Sequence, residues 1–136
     1  MKVIVCVPKG ENIMRDRIDG ENIDEIKKLL LYKKIVEVHI IDQMSGTMTL
    51  DDGTVLRIVS NEGCGGCGSG WYMLEELNKC DNAITDVELV YDKRGYDEVI
   101  QIFVIAEDRR VKVIDVYGDE GNGYYGRGFE IYIEKP

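Results

Sequence analysis

At 136 residues with a formal net charge of −9, the chain suits a single domain over 1–136, and a domain of this size buries roughly 68–70% of its unfolded surface. Hydrophobic residues are 44% and charged residues 32%, which excludes a disordered tail. The acidic balance also excludes long nucleic acid, because polyphosphate binding needs Lys and Arg to displace condensed counterions; a small anion held by local N–H groups and one or two Arg is still allowed.

MKVIVCVPKG has too short an apolar run for a signal peptide, and no stretch approaches a membrane span. A cytoplasmic protein without a membrane partner is expected. Residues 2–7 read as a short apolar strand closed by Pro8, and 8–20 as polar and irregular. Asn22 followed by Glu25 fits a capping-box start, and Ile23, Ile26, Leu29 and Leu30 give the stripe of an amphipathic helix over about 22–32. From Ile35 the period changes to that of a strand ending near Met44. Residues 48–50 and 54–59 form a predicted hairpin joined at Asp52-Gly53, the dipeptide favoured by type I′ turns. Met73, Leu74 and Leu77 then fall on one face of a short helix over about 71–79. In the second half, 84–90, 98–106 and 111–117 read as strands with a turn at 107–110, and 92–97 reads as an added connection. Phe129, Ile131 and Ile133 alternate with Glu130, Tyr132 and Glu134, the period of a strand with one buried face. The fold class expected is α+β, β-rich and mainly antiparallel.

Two segments repeat their spacing. EGCGGCGSGWY begins at Glu62 and EGNGYYGRGFE at Glu120, so that Gly63, Gly65, Gly68 and Gly70 match Gly121, Gly123, Gly126 and Gly128, and Trp71 matches Phe129. Each is preceded by a strand and a hairpin, which suggests two unequal pseudo-repeats, about 35–72 and 84–130; a convergent turn pattern is the alternative. Each segment satisfies GxGxxG, but neither sits in the parallel βαβ unit that a dinucleotide fold requires. What remains is the freedom of glycine to bring successive N–H groups together into a nest for an anion. Trp71, Tyr72, Tyr124 and Tyr125 offer rings for stacking on a base, and the planar fork of Arg127 suits phosphate. Sharp bends at a sheet corner, with packed aromatics, would give the same pattern without a ligand.

Cys64-Gly-Gly-Cys67 has the spacing of half a structural zinc site, to be completed by Cys6, Cys80, His39 or a second subunit. Asn122 and Tyr125 occupy the cysteine positions in the second segment, so the glycine pattern does not depend on metal. Packed, reduced thiols are the other reading, and a disulfide framework is disfavoured without a secretory signal. His39 is the only histidine and lies on an apolar strand. Asp51, Asp52, Glu107 and Asp108 fall at hairpin turns, where Asp is common for local reasons. With no Ser-His-Asp, Cys-His, HExxH or Walker pattern, the reading leans away from an enzyme.

From about Leu29 to Ile133, the order LLYKKIVEV, LDDGTVLRIV, NEGCGGCGSG, ITDVEL and GNGYYGRGF resembles an uncharacterised family of small proteins recurrent in bacteriophage genomes. The resemblance implies a viral accessory protein in the host cytoplasm, countering host defence by capturing a nucleotide-derived immune signal or by occluding a host protein. It supplies no catalytic residues. The expected partner is a small phosphorylated ligand or a host protein, and a homo-oligomer is expected.

Overall fold

The computed structural model describes residues 17–61, 71–95, 97–119 and 128–135; the strand expected at 2–7 lies outside them. Nine strands and one helix appear among the described residues: β1 (Arg17–Asp19), α1 (Ile23–Leu30), β2 (Ile35–Asp42), β3 (Ser45–Leu50), β4 (Val55–Ser60), β5 (Trp71–Leu77), β6 (Asp86–Arg94), β7 (Asp97–Ala106), β8 (Arg109–Asp119) and β9 (Phe129–Glu134). They form two antiparallel sheets, ordered β1-β9-β4-β3-β2 and β5-β8-β7-β6.

Helix α1 starts where the sequence places it. Asn22 accepts from the Glu25 N–H at 3.2 Å, and Asp24 and Glu25 at its start and Lys27 and Lys28 at its end match the helix dipole. The helix stops about two residues early because Tyr32 takes a left-handed φ of +67° and bonds to Ile84. Its buried Ile26 and Leu30 join a core that β3, β4 and β9 build with Met48, Leu50, Leu56, Ile58 and Ile131. The second sheet contributes Leu74, Leu77, Ile100, Ile102, Ile114 and Val116.

Three local expectations are corrected. Residues 71–77 form strand β5, not a short helix. Tyr72 and Leu74 alternate inward, and a bulge between Leu74 and Glu76 resets the period so that Leu77 also faces the core. That three-residue step, inserted by one extra residue, imitates helical spacing. At Asp51-Asp52-Gly53 only Gly53 has positive φ, +92°. Gly53 donates to Leu50 C=O and Leu50 to Thr54 C=O, the pattern of a three-residue loop with a glycine bulge rather than a type I′ turn. The type I′ signature belongs instead to Glu107-Asp108, with φ of +51° and +63°, between the paired Ala106 and Arg109. The connection expected at 92–97 is mostly ladder, since β6 and β7 pair from Asp86↔Ile105 to Arg94↔Asp97.

One side of the two sheets is stitched together. Ile35 and Cys80 exchange both main-chain hydrogen bonds, at 2.9 and 3.0 Å, and Leu74 donates to Gln43 C=O at 2.7 Å.

Candidate functional site

In the order of the chain, β4 of the first sheet is followed by β5 of the second, and β8 of the second by β9 of the first. The glycine-rich segments are therefore the two links between sheets on these paths. Because β4 pairs with β9 and β5 with β8, their stems meet in pairs: Ser60 lies opposite Phe129, and Trp71 opposite Asp119. The Asn61 N–H donates to Gly128 C=O at 2.9 Å. Buried Ser60 donates through its hydroxyl to Tyr72 C=O at 3.1 Å, joining the stems across the two sheets. Gly128 has φ +77°, in the left-handed region that a residue with a Cβ rarely enters.

Of the residues singled out from the sequence, Gly63, Gly65, Gly68, Gly121, Gly123, Tyr124, Tyr125, Gly126, Arg127, Cys64 and Cys67 lie outside the described residues, as does Cys6. Trp71 and Tyr72 are described, and successive strand positions send them to opposite faces. Trp71 is 40% exposed and meets the Tyr117 ring edge-on, with centroids 5.8 Å apart and planes at 88°. Tyr72 is buried, and its hydroxyl donates to the buried Glu98 carboxylate at 2.7 Å. Its ring is core, so it offers no open face for stacking. Room for it comes from Gly118, the residue opposite, where a Cβ would lie 2.8 Å from Tyr72 Cδ2 and against Trp71 C=O.

Next to the Trp71–Tyr117 pair, the outer face of the second sheet carries a polar network that the sequence reading did not single out. Lys112 Nζ lies 2.8 Å from both Glu76 and Asp115, and the Gln101 amide donates to Asp115 at 3.3 Å. Hydrogen bonds from Lys112 and then Asn78 hold the Glu76 carboxyl below its ordinary value. Those to Asp115 and then Glu76 hold Lys112 above its own. A shallow cavity of about 270 Å³ opens here, lined by Glu75, Asp97, Val99, Asp115 and Tyr117. The signal available in the sequence was Lys112 and Asp115 interrupting the apolar run of β8.

The remaining candidates are dispersed. His39 is exposed on β2, 2.9 Å from Glu37. Cys80 is buried and its thiol donates to Asn82 C=O. Asp51 and Asp52 accept main-chain N–H groups of Lys34 and Thr54, while Glu107 and Asp108 form a turn. Arg110 bonds to Glu88 at 2.8 Å and stacks 3.7 Å from the Phe103 ring centre. Among the described residues, no group of three or more His, Cys, Asp and Glu is placed to hold a metal ion, and no helix is long and apolar enough to cross a membrane.

No curated protein and no solved structure matches the chain. A family described as a domain of unknown function, DUF7448, matches residues 28–131, taking in everything from the second half of α1 to the middle of β9. The chain belongs to that family.

Proposed function

We propose that this protein captures a small nucleotide-derived anion between its two glycine-rich segments, 62–70 and 120–128. The observation that supports the reading most is the meeting of the stems: the Asn61–Gly128 bond and the Trp71–Asp119 pairing hold the described residues that flank the two segments next to one another. Glycine-rich main chain there can supply converging N–H groups, Arg127 a phosphate fork, and Tyr124, Tyr125 and the exposed Trp71 faces for a base. A host immune signal, such as a cyclic nucleotide or an ADP-ribose derivative, fits this chemistry and the phage-type accessory role drawn from the resemblance. The protein then acts by sequestration in the host cytoplasm.

Strand order supports the finer reading of two unequal pseudo-repeats. Each half supplies a three-strand meander, β2-β3-β4 or β6-β7-β8, followed by a glycine segment and a strand that pairs with the last strand of the other meander.

A second reading, favoured by exposed Val36, Ile40 and Ile41 on β2, is a protein-interaction module stapled by zinc through Cys64 and Cys67. Native mass spectrometry with and without chelator separates it from the first. A thermal-shift screen against cyclic nucleotides and ADP-ribose derivatives tests capture directly. Ligand at about 100 times Kd adds roughly 2.7 kcal/mol, a rise in Tm of about 2–4 °C or somewhat more. Trp71 is the only tryptophan, so its fluorescence should change with the same ligand. No shift and no fluorescence change with any phosphate ligand would remove the reading.

A further inference from the structure

Strands β5, β8 and β7 lie side by side in the second sheet, and their outer face carries the cavity of about 270 Å³ lined by Glu75, Asp97, Val99, Asp115 and Tyr117. Strand register fixes how that lining is laid out. Val99 lies opposite Tyr117, and Gln101 opposite Asp115. Alternate residues of a strand share a face, so Asp97 and Asp115, each two residues before one member of the Val99–Tyr117 pair, project on the same side of the sheet. Because β7 and β8 run antiparallel, they flank that pair from opposite directions. Glu75 stands at the Asp115 end: it is the extra residue of the β5 bulge, just before Glu76, which lies opposite Asp115. The cavity therefore has carboxylates at both ends and an apolar middle.

These carboxylates are short of donors. Asp115 is 8% exposed, and both groups that reach it, Lys112 Nζ at 2.8 Å and the Gln101 amide at 3.3 Å, meet the same oxygen, Oδ2. Its other oxygen, Oδ1, accepts no hydrogen bond among the described residues, although a buried polar atom ordinarily has a partner. Neither Glu75 nor Asp97 makes a hydrogen bond or ion pair among the described residues. Lys112 is itself shared between Asp115 and Glu76, so both ends of the cavity keep negative charge. A single metal ion does not suit this layout. The Cα atoms of Asp97 and Asp115 are about 14 Å apart along paired strands, and among the described residues no three His, Cys, Asp or Glu are placed to hold a metal.

We propose that this cavity binds an aliphatic diamine or polyamine, with one ammonium group at Asp115 and Glu75, another at Asp97, and the methylenes between them lying on Val99 and Tyr117. An ammonium group has donors and no acceptor, which complements a carboxylate whose second oxygen is empty. Methylenes on Val99 and the Tyr117 ring leave water, and the ring face attracts the cation. Trp71 meets Tyr117 edge-on and braces that ring. Length gives the selectivity: the chain must cross the Val99–Tyr117 pair before both charges are met, so a monoamine satisfies one end only. The site uses no residue of the glycine-rich segments and does not depend on anion capture.

Calorimetric titration of the full chain with putrescine, cadaverine and spermidine, beside butylamine at matched ionic strength, tests this. At least one of the three should bind saturably and about tenfold or more tighter than butylamine. Asp97→Asn, at a half-buried side chain with no partner to lose, should bring that amine down to the affinity of butylamine. Asp108→Asn removes the same charge at the far β7–β8 turn, where Asn accepts the left-handed φ of +63°, and should leave binding unchanged. No saturable binding of any of the three amines, butylamine binding as tightly as the best of them, or equal weakening by Asp97→Asn and Asp108→Asn would each overturn the proposal.

Discussion

The main-chain N–H of Asn61 donates to the carbonyl of Gly128 at 2.9 Å, so the exit of the first glycine-rich segment and the return of the second are held by one hydrogen bond. Gly128 can take part because its φ of +77° suits a residue without a Cβ, and the space beside it is filled by Ile100 Cδ1, 2.8 Å from where a Cβ would sit. Gly128→Ala should therefore cost about 1–3 kcal/mol. Gly95→Ala is the control, since φ there is +69° but no atom lies within 4 Å of the added carbon; it should cost about 1 kcal/mol from conformation alone. Urea midpoints at unchanged m-value measure both.

Tyr72 and Glu98 are buried together at the same end of the molecule. Tyr72→Phe keeps the ring in its place beside Gly118 and removes one hydrogen-bond partner of a buried carboxylate. The expected loss is about 1–3 kcal/mol, read by chemical denaturation. A loss near zero would show that the Glu98 carboxylate is satisfied without the hydroxyl.

Lys112 links Glu76 and Asp115 on the outer face of the second sheet. Glu76 is held below its ordinary value of 4.5, so the folded state binds this proton less tightly than the unfolded chain. Its contribution is present above about pH 4.5 and fades as the pH falls through the lowered value. Lys112 is held above 10.5, so its contribution is complete below that pH and fades as the pH rises past the raised value. Lys112→Met should cost about 1–2 kcal/mol at neutral pH, because among the described residues Asp115 then keeps only Gln101. The gap from wild type should narrow in acid and at the alkaline extreme, as a pH series of urea melts would record.

Residue patterning made much of the fold legible before any coordinates. The Asn22 cap, the apolar stripe of α1 and the alternation of β9 act over a few neighbouring residues, so their signals survive in the sequence. Strand β5 has helix-like spacing in the sequence because a bulge is a property of two paired strands: the spacing of Tyr72, Leu74 and Leu77 makes sense only with β8 beside it. Similarly, Asp52-Gly53 carries the usual type I′ dipeptide, but an added residue, Asp51, shifts the loop to another class. Most residues of the expected anion site lie outside the described residues. The meeting of its stems depends on which strands pair across the molecule, and no local pattern encodes that. Burial of Tyr72 follows from the same cause, since its side is set by the strand that replaced the expected helix.

Strand β9 lies between β1 and β4 although β5 to β8 come between it and β4 in the sequence. Until 129–134 has left the ribosome, β4 has an unfilled flank and β1 lacks the partner it has among the described residues. The first sheet therefore closes only after β9 has emerged, and until then the nascent chain exposes adhesive strand edges at β1 and β4.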